Sequence, residues 1–382
     1  MFNVIVLGIV SFLTDVSTEM SYPLLPLYLT TRLGATPAVV GLIEGISGSL
    51  ASLLKVFSGY ISDKVRKRKA LVIFGYASST FGKLLLYLST SWGWVFGGRV
   101  VDRFGKGIRT SPRDALIADS IRKGRRGEAY GLHRAMDTAG ATAGVILAYL
   151  FLKARSADYS SVFLLSLVPA ALGVCFLLLV KERKWSIRAG RTPLDQSVVL
   201  FRWASLPVRL KAFLVVIFLF ALGNSSKQFL FLRAKELGFA VQNILLLYLA
   251  YNVIYAISSY PAGLFSDIIG RKTVLLAGYL LYGIVYLGFA LARSQFQIWF
   301  LFALYGLCSA LTEGVEKALV ADMAPLELRA TSIGLHATFV SIGLLPASLL
   351  AGILWDAFGA ASPFYFGGFL GLLAAFGIWF AI

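Results

Sequence analysis

The chain repeats itself at an offset of 203 positions. Gly131-Leu132-His133 returns as Gly334-Leu335-His336, and Ala115-Leu116-Ile117-Ala118-Asp119 returns as Ala318-Leu319-Val320-Ala321-Asp322. One position further on, the turn Gly59-x-x-x-Asp63-Lys64 returns as Gly263-x-x-x-Asp267, followed by Gly270-Arg271-Lys272. A period of half the chain means two copies of one structural unit. Between these motifs the sequence is apolar in runs of about 20 residues, the length needed to cross hydrocarbon as a helix. With 58% hydrophobic and 14% charged residues, too little polar surface exists for an ordinary water-soluble fold. In a bilayer only helices and closed barrels satisfy their own backbone, and no dyad alternation is present, so the runs read as helices. Two homologous apolar halves are the mark of a transporter built around a site near the membrane midplane.

The spacing predicts an all-α integral membrane protein with twelve spans: residues 4–29, 37–61, 70–89, 93–119, 127–152, 160–180, 209–233, 241–267, 273–292, 296–321, 330–354 and 363–382. They form an N-terminal six-helix bundle at 1–180, a basic connector at 181–208 and a C-terminal six-helix bundle at 209–382. The first span lacks a basic n-region and a small-residue cleavage site, so it reads as a retained helix. A net charge of +17 would point to nucleic acid in a soluble chain. Here the cations crowd alternate loops, Lys64 to Lys69, Arg122 to Arg126 and the connector, while residues 30–36, 90–92 and 355–362 carry almost none. Basic loops stay on the cytoplasmic side, which places both termini inside a cytoplasmic (inner) membrane. Cys175 and Cys308 lie in different halves with no metal-like spacing, and neither a metal nor any other cofactor is expected.

The repeated turn carries a resemblance. Gly59-Tyr-Ile-Ser-Asp63-Lys64-Val65-Arg66-Lys67-Arg68-Lys69 resembles the loop between the second and third helices of the major facilitator superfamily, with Arg66 where that family has glycine; the second copy keeps it as Gly270. Glycine lets two helices approach closely, and the cationic tail suits the headgroups. The resemblance covers essentially the whole chain and implies two pseudo-symmetric six-helix bundles, with spans 1, 4, 7 and 10 lining a central cavity and the protein working as a monomer. Gly131, Gly140 and Gly144 match the glycines of the family's antiporter branch in span 5, with Val145 in place of its proline. Arg99 stands at the family's arginine in span 4, with Arg103 where drug exporters have glycine. The stretch Asp102 to Asp114 resembles a little-characterised group of prokaryotic members.

Charges at membrane depth are costly and face the bundle interior, so each is a functional candidate. Asp15 and Glu19 share one face of span 1. Arg99, Asp102, Arg103 and Lys106 make a cationic face on span 4, interrupted by one acid. Arg134 and Asp137 lie on span 5, Asn224 and Lys227 on span 7, and Glu313 on span 10. These eleven residues are the expected substrate and proton cavity. Asp15, Glu19, Asp137 and Glu313 have the depth for proton uptake, with Arg99, Arg103 and Arg134 as competitors. No carbonyl-exposing helix break stands beside acids, which favours H⁺ over Na⁺. His133 and His336 are expected to pack near the cytoplasmic ends of spans 5 and 11.

Arg113-Asp114 aligns with Glu316-Lys317, so the charges are exchanged between the halves and are expected to pair across the bundles as a gate. The turn residues Asp63, Asp267 and Arg271 belong to the same inter-bundle set, with Asp119 and Asp322 as anchors near helix ends. The partners expected are a small amphiphilic or anionic solute, protons and the lipid bilayer, with no nucleic acid. The residues show no nucleophile–base pair or phosphate loop, so no enzymatic activity is expected. Proton-coupled export of an amphiphilic organic compound is the leading expectation. A carrier for an organic or phosphorylated anion is the alternative, and a non-transporting receptor or lipid-translocating protein the reading from another class.

Overall fold

The computed structural model of the chain describes residues 1–65, 68–120, 126–154, 158–181, 206–324 and 329–381. Most of the connector expected at 181–208 lies outside the described residues, as do the side chains of Asp63 and Arg134, Gly131, and the basic stretch 121–125. Every described element is helical: α1 (Phe2–Ser21), α2 (Leu25–Thr31), α3 (Pro37–Val65), α4 (Arg68–Tyr87), α5 (Trp92–Asp119), α6 (Arg126–Ala154), α7 (Tyr159–Leu177), α8 (Val208–Gly223), α9 (Gln228–Glu236), α10 (Val241–Ile269), α11 (Arg271–Leu291), α12 (Gln295–Met323), α13 (Arg329–Phe358) and α14 (Ser362–Ala381). The helices group into two bundles, α1–α7 and α8–α14, each giving six crossings. Among the described residues eleven spans are long and apolar enough to cross a membrane. The twelfth, α5, carries eight charged side chains and crosses only because the bundle interior absorbs them.

Two spans expected as single helices are broken. Span 1 runs as α1, a 3-10 turn at Tyr22–Leu24, and α2. Pro23 and Pro26 lack the N–H that a continuous ladder would need there. Span 7 is broken between Gly223 and Gln228, where Asn224, Ser225 and Ser226 offer the backbone side-chain alternatives. Ser21 and Asn224 are 203 positions apart, so the interruptions are repeat-related. This corrects the expectation that no helix break exists near the membrane acids. Discontinuous helices at matching places in two halves mark where transporters bind their cargo.

The repeated turn has a local cause in the second half. Gly270 adopts φ +94, a conformation disfavoured for other residues, and divides α10 from α11. At that same end Arg68 pairs with Asp119, and its repeat counterpart Arg271 pairs with Asp322. Arg271 also lies 3.4 Å from Asp267. Asp119 and Asp322 thus each join neighbouring helices of their own bundle.

The bundles meet at the end opposite these bridges, through α2 with α9, α3 with α13, and α6 with α10. Along α3, Gly41 and Gly45 lie against the backbone of Ser348 and Leu345, while Gly352 of α13 lies against Ala38. Ser49 donates to the Ser341 carbonyl at 3.0 Å, and the Ala38 N–H to Asp356 at 3.2 Å. Toward the basic end α5 and α12 make no extended contact, and Leu53, Phe57 and Ile61 of α3 are exposed. The space between the bundles therefore opens on the basic side.

Gly140 and Gly144 of α6 seat α1 directly, against the backbone of Phe12 and Val16. That is the close approach their spacing requires, and it fixes α1 with its acids. Gly144→Val is expected to lower the melting temperature of the detergent-solubilised protein by several degrees, since overpacking costs about 1–3 kcal/mol. Gly97→Val, at a glycine with open space around it, serves as control; equal losses in both variants would refute the seating role.

Candidate functional site

The interior of the first bundle is organised around Arg99. Its guanidinium donates twice to Glu44 of α3, at 2.6 and 3.0 Å, and stands 3.7 Å from Asp102. Arg99, Glu44 and Asp102 are all buried. Two carboxylates and two hydrogen bonds give the charge the partners that burial demands. Arg103, one turn on, shares Asp102 at 3.9 Å and is only partly buried. Both guanidinium groups lie near the Tyr22 ring, at 5.5 and 6.0 Å. Lys83 of α4 is buried and donates to Ser17 at 2.7 Å and Thr18 at 3.0 Å on α1. Arg109 lies 4.2 Å over Tyr76 and donates to Ser79.

The acids of α1 face this cationic wall. Asp15 has no ion pair or hydrogen bond among the described residues; the charges that bear on it are Lys106, Asp137, Arg109 and Arg113. Glu19 keeps one buried oxygen without a hydrogen-bond partner and stands next to Tyr248 of the other bundle. Asp137 lies 3.5 Å from His133. Around α4 and α5, the carboxylates in direct contact with five cations (Lys83, Arg99, Arg103, Lys106 and Arg109) are, among the described residues, Glu44 and Asp102. Arg103 and Lys106 are the two left partly open to the cavity.

The second bundle answers with tyrosines. Lys227, in the break of span 7, donates to the Tyr251 hydroxyl at 2.5 Å. Tyr305 donates to Asn224 at 3.4 Å, and Tyr255 to Glu313 at 2.8 Å. Tyr248, Tyr251 and Tyr255 stack along α10 with centroids 6.0 and 6.2 Å apart. Tyr22 continues the file into the first bundle, 6.4 Å from Tyr248. At offset 203 the basic positions Lys83, Arg99 and Lys106 correspond to Tyr286, Phe302 and Ser309. One half is cationic where the other is aromatic and neutral.

The charge-exchanged motifs do not pair across the bundles in this structure. Arg113 lies 2.9 Å from Asp114 and donates to Ser11 at 3.2 Å. Glu316 is buried in its own bundle, accepting from Tyr279 at 2.9 Å and lying 3.0 Å from His336 Nε2. Lys317 is exposed. The physical reason is the open basic side, which keeps α5 and α12 apart.

A profile of the Major Facilitator Superfamily matches residues 7–233 and 213–382. The chain belongs to the major facilitator superfamily. It is 43% identical over 361 residues to an uncharacterised MFS-type transporter of Methanocaldococcus jannaschii, covering 92% of this chain and 88% of that one. A gentisate transporter of Corynebacterium glutamicum is 25% identical, covering 84% of this chain and 74% of that one. Among solved structures, a nucleoside transporter superposes with a TM-score of 0.83 at 15% identity over the whole of both chains. A POT family transporter in complex with 5-aminolevulinic acid superposes with a TM-score of 0.79 at 13% identity, covering 98% of this chain and 94% of that one. The protein is a multi-pass membrane transporter and not an enzyme.

In this major facilitator chain the site contains residues whose role the sequence pattern does not show. Glu44 shares span 2 with Lys55, and only the fold brings it to Arg99. The α10 tyrosines carried a legible signal, since spacings of three and four place them on one face. Breaking a buried ion pair by removing one partner costs about 3–5 kcal/mol. Glu44→Gln is therefore expected to lower thermal stability far more than Glu313→Gln, whose side chain is exposed. Equal melting temperatures for the two variants would refute the role of the Arg99–Glu44 pair.

Proposed function

We propose that this transporter carries a small amphiphilic organic anion with an aromatic or planar ring, exporting it from the cytoplasm in exchange for protons. The observation that carries the reading is the division of the cavity. Arg103 and Lys106 on one side and Lys227 on the other are cationic groups at membrane depth that no carboxylate among the described residues fully matches. Guanidinium groups suit carboxylate or phosphate oxygens, and a desolvated anion between them offsets their mutual repulsion. The tyrosine file beside them provides ring faces and hydroxyl donors for the rest of the solute. The relative named as a gentisate transporter fits this chemistry, gentisate being an aromatic carboxylate.

Proton coupling falls to Asp15 and Glu19. Neither is held in an ion pair among the described residues, and both sit on the helix that Gly140 and Gly144 seat. Export also follows the electrical driving force. With the basic side cytoplasmic and both termini inside, an inside-negative potential pushes an anion outward and a proton inward, each by about 2.3 kcal/mol per 100 mV. The working unit we propose is a monomer.

Two measurements test this. Binding of benzoate and gentisate to purified protein, followed by thermal shift, is expected to weaken about tenfold or more in Arg103→Ala and in Lys227→Ala, a loss of about 1.4 kcal/mol each. Arg99→Ala is expected to cost stability more than affinity, its guanidinium being occupied by Glu44. Tight binding of a lipophilic cation, unaffected by these anions, would overturn the anion reading. In proteoliposomes, Asp15→Asn is expected to abolish flux driven by a pH gradient while the protein stays folded. Undiminished proton-driven flux in both Asp15→Asn and Glu19→Gln would remove α1 from the coupling.

A further inference from the structure

The repeat extends to a buried polar constellation that the solute cavity does not use. Tyr76, Arg113 and His133 of the first half stand 203 positions before Tyr279, Glu316 and His336 of the second. Each triple comes from corresponding helices, α4, α5 and α6 in one bundle and α11, α12 and α13 in the other. In the second bundle the three side chains form one buried chain of contacts. The Tyr279 hydroxyl donates to Glu316 Oε1 at 2.9 Å, and Glu316 Oε2 lies 3.0 Å from His336 Nε2. Tyr279 is fully buried, and Glu316 and His336 are only 6% and 4% exposed. His336 Nδ1 is buried with no hydrogen-bond partner.

We propose that the Tyr279–Glu316–His336 cage is a proton-binding site of the second bundle, and that Arg113 fills the corresponding place in the first bundle with a permanent charge. The inference is independent of the solute proposed above. With a neutral imidazole donating Nε2–H to the carboxylate, the cage holds one uncompensated negative charge away from water. One proton taken up at Nδ1 turns it into a neutral imidazolium–carboxylate pair; its release restores the charge. Burial of a net charge is costly, so the cage exchanges a proton where a fixed salt bridge would not. In the first bundle a guanidinium stands where Glu316 stands, beside Tyr76, and His133 turns instead to Asp137 at 3.5 Å. Val340 occupies the place of Asp137 in the second half, leaving His336 to Glu316.

Among the described side chains, the surrounding ionisable groups are engaged elsewhere or lie at the bundle rim. On α12 itself Glu313 and Lys317 are exposed, and on α10 Tyr255 is held by Glu313. Asp267 of α10 and Arg271 of α11 pair with each other, and Lys272 donates to the Trp379 carbonyl. Arg209 and Lys211 stand at the start of α8, Lys55 on the basic half of α3, and Asp356 and Tyr365 at the far ends of α13 and α14. His336 is two helical turns inside α13 from the basic end, on the side where the bundles part.

The chain contains two histidines, so imidazole-labelled protein in lipid nanodiscs gives two resolvable carbon signals, assigned with His133→Gln. Titration from about pH 5 to about pH 9 reads the protonation of each directly. The His336 signal is expected to pass through one midpoint in this window. In Glu316→Gln, which removes the anion that favours the imidazolium, the midpoint should move to lower pH by about one unit or more, and Glu316→Asp should restore most of it. Should Glu316→Gln fail to fold, Tyr279→Phe still reports, since it removes the hydroxyl that donates to Glu316 and should move the midpoint. Arg113→Glu, which writes the second-half residue into the first half, should raise the His133 midpoint by a comparable amount. A His336 signal unchanged across the window, or a midpoint identical in the wild type and every folded variant of the cage, would overturn the proton site. An unmoved His133 midpoint in Arg113→Glu would overturn the twin.

Discussion

The structure depends on the pairing of Arg99 with Glu44. Helix α5 is too charged to enter hydrocarbon on its own terms, and its arginine would otherwise stand unmatched in the bundle interior. Glu44 arrives from α3, fixing the spacing of the two helices at the point where the charge is deepest. Asp102 then serves both Arg99 and the next arginine along. With this core neutralised, Arg103 and Lys106 remain partly open to the cavity rather than being absorbed by protein. The proposed solute site would thus be a residue of incomplete compensation, set by how many acids the bundle supplies.

The two halves descend from one pattern but have been filled differently. Their shared features are geometric: the broken spans 1 and 7, the bridges Arg68–Asp119 and Arg271–Asp322, and the glycines that allow helices to touch. The differences are chemical, with lysine and arginine in one half at positions where the other has tyrosine, phenylalanine and serine. Symmetric scaffolding suits rigid-body rocking about a central axis. Under the proposed function, asymmetric lining would let a solute with a charged end and an apolar ring bind in one orientation.

Most of the architecture was legible in the sequence because it is written in long, redundant signals. A succession of apolar runs, a half-chain offset and a twice-repeated turn all agree, and no single residue decides them. Asp119 and Asp322 sit at helix ends beside basic loops, and in the structure they pair with Arg68 and Arg271. The pairing of Arg113 with Glu316 across the bundles was expected from alignment alone, whereas in the structure each is held within its own bundle. Offset alignment shows which positions are equivalent but not which side of a helix faces the axis. The breaks at Tyr22–Leu24 and around Asn224–Lys227 were hidden for a different reason. Pro23, Pro26 and a short polar run are modest local signals inside strongly apolar surroundings, and only their correspondence gives them weight. Glu44 was out of reach because its meaning lies in a contact across 55 positions.

The seam between α3 and α13 is made largely of bare backbone, with Gly41, Gly45 and Gly352 in contact and few directional bonds. Such a seam holds mainly by shape. When it parts it leaves hardly any stranded donor or acceptor behind, so separation exacts little electrostatic penalty and re-closure needs no search for a precise bonding register. An interface of this kind behaves as a low-friction bearing: it is intolerant of added bulk, yet indifferent to pH and salt. The turnover of the carrier can then be timed by its charged groups elsewhere, while the mechanical joint itself stays the same in every chemical state of the cavity.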